Sequence, residues 1–289
     1  MTIPLSLLTF KMKARLSIKD LKAMTALVTG ASTGIGKAIA ERLAKDGLVV
    51  FGTARAPTGD LSGVRMRALN VCSDESVRAC VEGVLKEAGH IDVLVNNAGF
   101  LSVGAFEEAT LESGRAQFET NFFGAVRMLY AVVPAMRERG SGRIIDVTSL
   151  AGIVPLPFWG FYNASKAALE SLTETLRFEL MPFGIHVSAV EPGAISTALY
   201  ANEAKAASLP VYAPWRKRFE RRMKEFETAA PGPEVVAEVV AALVHSRRPS
   251  PRATVTREAA LFTTLKRLVP ASMFESQLRK GFKLDKDRP

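Results

Sequence analysis

The sequence predicts an α/β fold: a doubly wound parallel sheet with helices on both faces, stacked as three α/β/α layers. Three observations carry this expectation. From Thr25 onward, short runs rich in Val, Ile and Leu alternate with longer amphipathic stretches. The apolar runs are continuous, as expected of strands covered on both faces. The first run closes on a glycine-rich turn that leads directly into a helix, and right-handed crossovers line all strand C-terminal ends along one sheet edge, where a site is expected.

Taken in order, "ALVTG" (26–30) reads as the first buried strand, followed by a helix over 34–46. "LVVFGTA" (48–54) is the second strand, 74–88 a helix, "IDVLVNNAG" (91–99) a strand, and about 111–138 one long helix. "GRIIDVTS" (142–149), a helix from Tyr162 to about Leu180, and "IHVSAVEPG" (185–193) complete the alternation. Two regions lie outside it. Residues 1–23 precede a Met24 that would itself make a sensible start, so they read as an N-terminal extension to a single domain over 24–289. Residues 194–230 form a long connection rich in Ala, aromatics and charge, which is expected to act as a substrate lid. The remainder, 231–289, opens with the helix "GPEVVAEVVAALVHS" and is expected to be a helical C-terminal extension with a basic tail.

At 289 residues and 48% hydrophobic content, the chain can build one continuous core without staples. Cys72 and Cys80, in one predicted helical region, suit free thiols in a reducing compartment, so a cytoplasmic location is expected. His90, His186 and His245 are scattered, which argues against a metal site. No run of eighteen apolar residues is present to span a membrane, and "MTIPLSLLTF" has its charges on the wrong side for a secretory signal. The net charge of +9 is concentrated: residues 1–23 carry five basic residues against Asp20, and "WRKRFERRMKEF" (215–226) six against Glu220 and Glu225. Such runs are usually solvated helix faces. With no nucleic-acid motif and no aromatic platform beside them, a nucleic-acid partner is not expected; weak attraction to an acidic substrate or a membrane surface remains open.

"TGASTGIG" (29–36) joins the first strand to the first helix. Gly30, Gly34 and Gly36 let the backbone turn sharply and let a pyrophosphate approach the helix N-terminus, where unpaired N–H groups and the dipole favour negative charge. Its spacing, Gly-x-x-x-Gly-x-Gly, differs from the commoner Gly-x-Gly-x-x-Gly. "FYNASKAALESL" (161–172) sets Tyr162 and Lys166 one helical turn apart. Taken alone that pair is an ordinary helix-surface neighbour.

Together with "NNAG" (96–99), Asn121, Ser149 and "PG" (192–193), these stretches resemble the short-chain dehydrogenase/reductase family in order and spacing, over about residues 24–197. The resemblance implies a Rossmann-type fold and an oxidoreductase that moves hydride between a nicotinamide and a carbonyl or alcohol. It implies Tyr162 as general acid/base, Lys166 as the residue that assists it and binds the nicotinamide ribose, Ser149 as the group polarising the carbonyl, and Asn121 as the holder of a water for proton relay. Cofactor contacts are implied at Gly30, Ser32, Thr33, Gly34, Ile35, Gly36, Asn70, Val71, Asn97, Ala98, Gly99, Tyr162, Lys166, Pro192, Gly193, Ile195 and Thr197. A free phenol titrates near pH 10, and an ammonium close by is expected to lower that value by about 1 to 3 units.

Between Leu48 and Gly59 no acid stands ready for a ribose 2′-hydroxyl, whereas Arg55 does stand there. A guanidinium matches a 2′-phosphate, so NADP is expected in preference to NAD. Asn70 departs from the family's usual Asp, which puts its adenine contact in doubt.

"LAGIVPLPFWGF" (150–161) and "AISTALY" (194–200) border the reacting group and point to a bulky hydrophobic substrate, of steroid, retinoid or lipid-like character. A β-ketoacyl thioester is the rival substrate, since the basic 215–226 segment suits an acidic carrier. Against it, "LKRLVPASMFESQLRKGF" (265–282) looks more like the steroid- and retinol-dehydrogenase-like members. A non-catalytic NADP-binding regulator is the alternative of another class. A hydrolase is disfavoured by the lack of a Gly-x-Ser-x-Gly elbow. Family members pair through the helices bearing Asn121 and Tyr162, where Ala164, Ala167, Ala168 and Ser171 permit close approach, so a homodimer or homotetramer is expected.

Overall fold

The structure is a computed structural model that describes residues 16–197, 204–205, 208–282 and 284. Residues 1–15 of the extension, 198–200 of the apolar "AISTALY" stretch and the basic tail from 285 lie outside the described residues.

The chain opens with α1 (Ile18–Lys22), β1 (Thr25–Val28), α2 (Gly34–Lys45), β2 (Val49–Ala54), β3 (Val64–Ala68) and α3 (Asp74–Ala88). Next come β4 (Val93–Asn96), β5 (Ser102–Val103), α4 (Leu111–Phe118), α5 (Gly124–Arg139), β6 (Gly142–Val147), α6 (Gly160–Leu180), β7 (Ile185–Glu191) and β8 (Ala204–Lys205). It closes with α7 (Ala213–Ala229), α8 (Glu234–His245), β9 (Arg252–Thr254), α9 (Arg257–Leu268) and α10 (Ala271–Phe282). Seven strands form one sheet in the order β3-β2-β1-β4-β6-β7-β9, every neighbouring pair parallel. The order reverses at β1, so a crevice opens between the C-terminal ends of β1 and β4.

The layers follow from side-chain alternation. Ala26, Val28, Val93, Val95 and Ile145 pack on one face with α2 and α8, while Leu27, Leu94, Ile144 and Val187 pack on the other with α3 and α5. In α8, Val236, Val240 and Val244 recur every four residues and are fully buried, each contributing about 1.5–3 kcal/mol of burial. Leu21 of α1 joins the same core and the Leu16 amide bonds the His245 carbonyl at 2.8 Å, so residues 16–23 pack on the body from which the sequence sets them apart.

The structure corrects four local expectations. Two edge strands, β3 and β9, are absent from the sequence reading: β3 alternates buried and exposed residues through Arg65 and Arg67, and β9 is three residues long, so neither has the continuous apolar signature. The long helix expected over 111–138 is interrupted by a π-helical segment, Glu119–Phe123, centred on Asn121. The Tyr162 helix starts earlier, at Gly160. Cys72 lies in the turn before α3 and only Cys80 is in the helix; both are free thiols.

Candidate active site

Two turns build the floor of the crevice. In the first, Gly30 and Gly34 adopt φ of +66° and +55°, a region L side chains rarely occupy. A Cβ on Gly36 would lie 2.2 Å from the Gly30 carbonyl oxygen, so only hydrogen fits where α2 closes on the turn. In the second, Asn97 Nδ2 donates to the carbonyls of Thr29 (2.9 Å) and Gly30 (3.2 Å). The Thr29 hydroxyl accepts from the Asn97 and Ala98 amides at 2.9 and 3.0 Å. Thr33 caps α2 without a side-chain bond to its first amides, and the first turn carries no acid. Those N–H groups and the positive helix end therefore face the crevice, an arrangement that fits a pyrophosphate.

The crevice opens into a cavity of about 1510 Å³. Gly30, Ser32, Thr33, Gly34, Ile35, Gly36, Arg55, Asn70, Val71, Asn97, Ala98, Gly99, Pro192, Gly193, Ile195 and Thr197 all line it, with Ser149, Tyr162 and Lys166. Arg55, at the C-terminal end of β2, is exposed and has no ion-pair partner among the described residues. Asn70 is less available than the sequence suggests, because its side-chain oxygen already accepts the Cys72 amide at 3.1 Å.

Asn121 does not line the main cavity. It is buried in the π-helical segment, its Oδ1 accepting from the Phe100 amide at 3.0 Å and its Nδ2 donating to the Phe100 carbonyl and to Ser165 Oγ. With Lys166 it borders a small second void behind the crevice.

Tyr162 and Lys166 are buried on the inner face of α6. The Lys166 ammonium donates to the Val147 carbonyl at 2.8 Å and lies 6.0 Å from the Tyr162 ring centre. Burial pushes Lys166 down to about 8, with Asp146 and Glu170 opposing the shift. The expected depression of the phenol is corrected here: burial is the larger influence and raises Tyr162, while its hydrogen bond with Ser149 draws it partly back. Ser149 itself accepts the Ala151 amide at 3.1 Å, which fixes its hydroxyl at the end of β6.

Sequence reasoning missed much of the cavity's apolar roof. Phe262 of α9 and Leu278 and Phe282 of α10 line it beside Met223 and Phe226 of α7. Phe219 packs against Phe158, Trp159 and Phe282 with ring centres 5.3, 6.0 and 5.4 Å apart. The available signal was the i, i+4, i+8 spacing of Phe274, Leu278 and Phe282. The start of α7 is tied down by buried Glu108, which accepts the amides of Ala105 (2.8 Å) and Leu209 (2.7 Å) and pairs with Arg216. Burial would raise that carboxyl, but these donors outweigh it and hold it below the ordinary glutamate range, so the tie persists at neutral pH and weakens only as pH falls below that range. Glu108→Ala is expected to speed tryptic cleavage at Arg216 and Lys217 by roughly tenfold, consistent with about 1.4 kcal/mol of lost local ordering; an unchanged cleavage rate would show that this tie does not hold the roof.

Comparison with known proteins bears on this arrangement. The family model described as short chain dehydrogenase matches residues 24–208. A 3-ketodihydrosphingosine reductase of Bacteroides thetaiotaomicron is 45% identical over 176 residues, covering 61% of this chain and 65% of that protein, just under two thirds of its length. Retinol dehydrogenase 8 of Bos taurus is 34% identical over 270 residues, 86% of each chain. The crystal structure of a short-chain dehydrogenase from Streptomyces avermitilis superimposes with a TM-score of 0.75 at 34% identity, covering 92% of this chain and 99% of that one.

Proposed function

Because the chain belongs to the short-chain dehydrogenase family, whose members act on CH–OH and C=O groups with a nicotinamide cofactor, we propose that it is an NADP-dependent oxidoreductase acting on the carbonyl or alcohol of a bulky hydrophobic substrate. The observation that carries the reading is the Ser149–Tyr162 pair of hydroxyls at the wall of a cavity roofed by aromatic and aliphatic side chains. The relatives named for 3-ketodihydrosphingosine and retinol, both lipids, support the substrate class.

The chemistry that the nicotinamide supplies when bound is a hydride for the carbonyl carbon. The chain's part is the oxygen. Ser149 donates a hydrogen bond to the carbonyl oxygen, and Tyr162 gives its phenolic proton to the same oxygen as charge develops there. Lys166 stabilises the resulting phenolate, and the apolar roof keeps water from competing for that proton. The Asn97–Gly99 turn and the strip from Pro192 to Thr197 orient the cofactor. Buried Asn121 supports the site from behind α6, where a proton relay would run.

Arg55, exposed just past the end of β2 and without an ion-pair partner among the described residues, supports the preference for NADP. Arg55→Asp is expected to weaken NADPH affinity roughly 10- to 100-fold, the loss of one charge-assisted contact plus repulsion, and to narrow the gap to NADH. Unchanged NADPH affinity by fluorescence titration would reject the assignment.

No described helix is long and apolar enough to cross a membrane, and the unbridged Cys72 and Cys80 suit the cytoplasm. Exposed Phe123 and Tyr130 on and beside α5, and Phe178 and Met181 at the end of α6, favour a homodimer through these helices. Ala164, Ala167 and Ser171 are exposed on α6 and allow the approach. The function is tested by assaying purified protein with NADPH against a long-chain amino ketone, ketosteroids, retinal and a β-ketoacyl thioester. Turnover confined to the thioester would overturn the substrate class, and turnover of none of them would overturn the enzymatic reading.

A further inference from the structure

α9 is built inside out. Its small residues Ala259 and Thr263 are buried against the body and Phe262 lines the cavity, while Leu261, Leu265 and Leu268 are 51, 38 and 77% exposed. Their i, i+4, i+7 spacing sets the three leucines in one stripe along the helix. Just past the bend at Pro270, Met273 in the first turn of α10 adds a fourth apolar side chain, 54% exposed. A single exposed leucine is ordinary, but a helix that turns all its leucines outward and its alanine inward reverses the pattern of a solvated surface helix. Charge indicates what covers the stripe. α9 and α10 carry five basic residues against two acids. Of the acids, Glu275 is paired with Arg279 and Glu258 lines the cavity. Arg267, next to Leu268, and Lys280, seven positions after Met273 on the same face of α10, are exposed and have no ion pair among the described residues. α10 also packs on α7, Phe282 meeting Phe219 and Phe226. On the side of α7 away from those rings, Lys217, Arg221 and Lys224 repeat the i, i+4, i+7 spacing, exposed and again without ion pairs among the described residues.

We propose that the outer face of α9 and the start of α10 dock on an anionic bilayer surface, which sets the roof of the cavity against the lipid. The leucines and Met273 enter the boundary between headgroups and acyl chains, while Arg267 and Lys280 stay among the lipid phosphates and α7 adds attraction at longer range. A second copy of the chain does not fit this face, because two-fold pairing would bring two surfaces of the same positive sign together. An acidic protein answers the cations but leaves the leucine stripe unexplained. A bilayer answers both, and since no described helix is long and apolar enough to cross it, the contact is one of surface docking. The inference draws on the lipid-like substrate class proposed above: a substrate dissolved in the bilayer reaches a cavity whose roof already touches it. Lys266 strengthens that link, its ammonium donating to the Ile153 carbonyl and fastening α9 over the loop that follows Ser149.

The test is cosedimentation of the full chain with vesicles of phosphatidylcholine, alone or with about one third phosphatidylserine, which needs no substrate. The unaltered protein should sediment with the anionic vesicles and stay in solution with the neutral ones. Leu265→Asp combined with Leu268→Asp should weaken that binding roughly 10- to 100-fold, because two side chains no longer enter the apolar layer. Both positions are exposed, so Tm and NADPH affinity should be unchanged. Arg267→Gln combined with Lys280→Gln should weaken binding roughly tenfold, and added salt should act in the same direction. No binding of the unaltered protein to anionic vesicles would overturn the proposal. So would full binding by the leucine variant, which would mark a general affinity for acidic partners. A leucine variant that sediments as a smaller species in the absence of vesicles would assign the stripe to a second copy and overturn it as well. The two readings separate cleanly: vesicle binding as expected with turnover confined to the β-ketoacyl thioester supports the docking surface and overturns the substrate class, whereas turnover of a lipid ketone without vesicle binding does the reverse.

Discussion

Tyr162→Phe is expected to lower kcat by roughly 10²- to 10⁴-fold, the usual contribution of one positioned acid/base group, while leaving NADPH affinity nearly unchanged. The ring is held by packing: Trp159 meets it edge-on with centres 5.6 Å apart, and the side chain is 6% exposed. Phenylalanine keeps these contacts and removes only the hydroxyl, whose described partner is Ser149. Stability should therefore change by less than about 1 kcal/mol. The comparison is made with whichever ketone of the panel the unaltered protein turns over best, together with thermal unfolding of both proteins. A loss of less than tenfold with an unchanged Tm would remove Tyr162 from the proton-transfer step.

Gly36→Ala is the second large effect, and it acts through the backbone. The added methyl would stand 2.2 Å from the Gly30 carbonyl oxygen and 2.4 Å from Asn97 Nδ2. Neither neighbour can yield cheaply. Gly30 is held at positive φ in the tight turn, and Asn97 is fastened by three hydrogen bonds to the same turn and to Thr29. Overpacking against such a frame costs about 3 kcal/mol, and the shift it forces would splay α2 away from the crevice. The expected result is a Tm lowered by roughly 5–10 °C and NADPH affinity lost beyond tenfold, measured by thermal unfolding and fluorescence titration. A variant with unaltered Tm and affinity would mean that the turn is free to relax, and the rigid cradle argued above would fail with it. Alanine at Gly83, where an added Cβ meets nothing within 4 Å, is the matched control for inserting a methyl into a helix.

The parallel sheet was legible because its central strands are covered on both faces, so β1 and β4 read as short apolar runs, and β6 and β7 keep enough Ile, Val and Ala to read as strands despite Asp146, Ser188 and Glu191. β3 and β9 were not, because an edge strand needs only one covered face and a three-residue strand has no period to detect. The glycines were legible for a similar reason: where backbone must approach backbone, only one residue type serves, and the requirement is visible without coordinates. Asn121 gave the opposite result. Its place in the chain pointed to a mid-helix residue, whereas its amide bonds Phe100 and Ser165, partners 21 and 44 positions away that no local pattern names.

By itself the sequence determined which chemical groups are present and their spacing along the chain: the hydroxyls of Ser149 and Tyr162, the ammonium of Lys166, the glycine turn and the guanidinium of Arg55. The tertiary structure alone decided how acidic those groups are and what covers them. Spacing along α6 suggested that Lys166 would lower the Tyr162 phenol, yet burial by Trp159 and the roof helices prevails and raises it, while Asp146 and Glu170 partly offset the same effect on Lys166. The physical reason is range. Helical and strand periodicity are properties of neighbours in the chain, whereas desolvation and charge pairing depend on every element that packs against a group, and those elements arrive from all parts of the sequence.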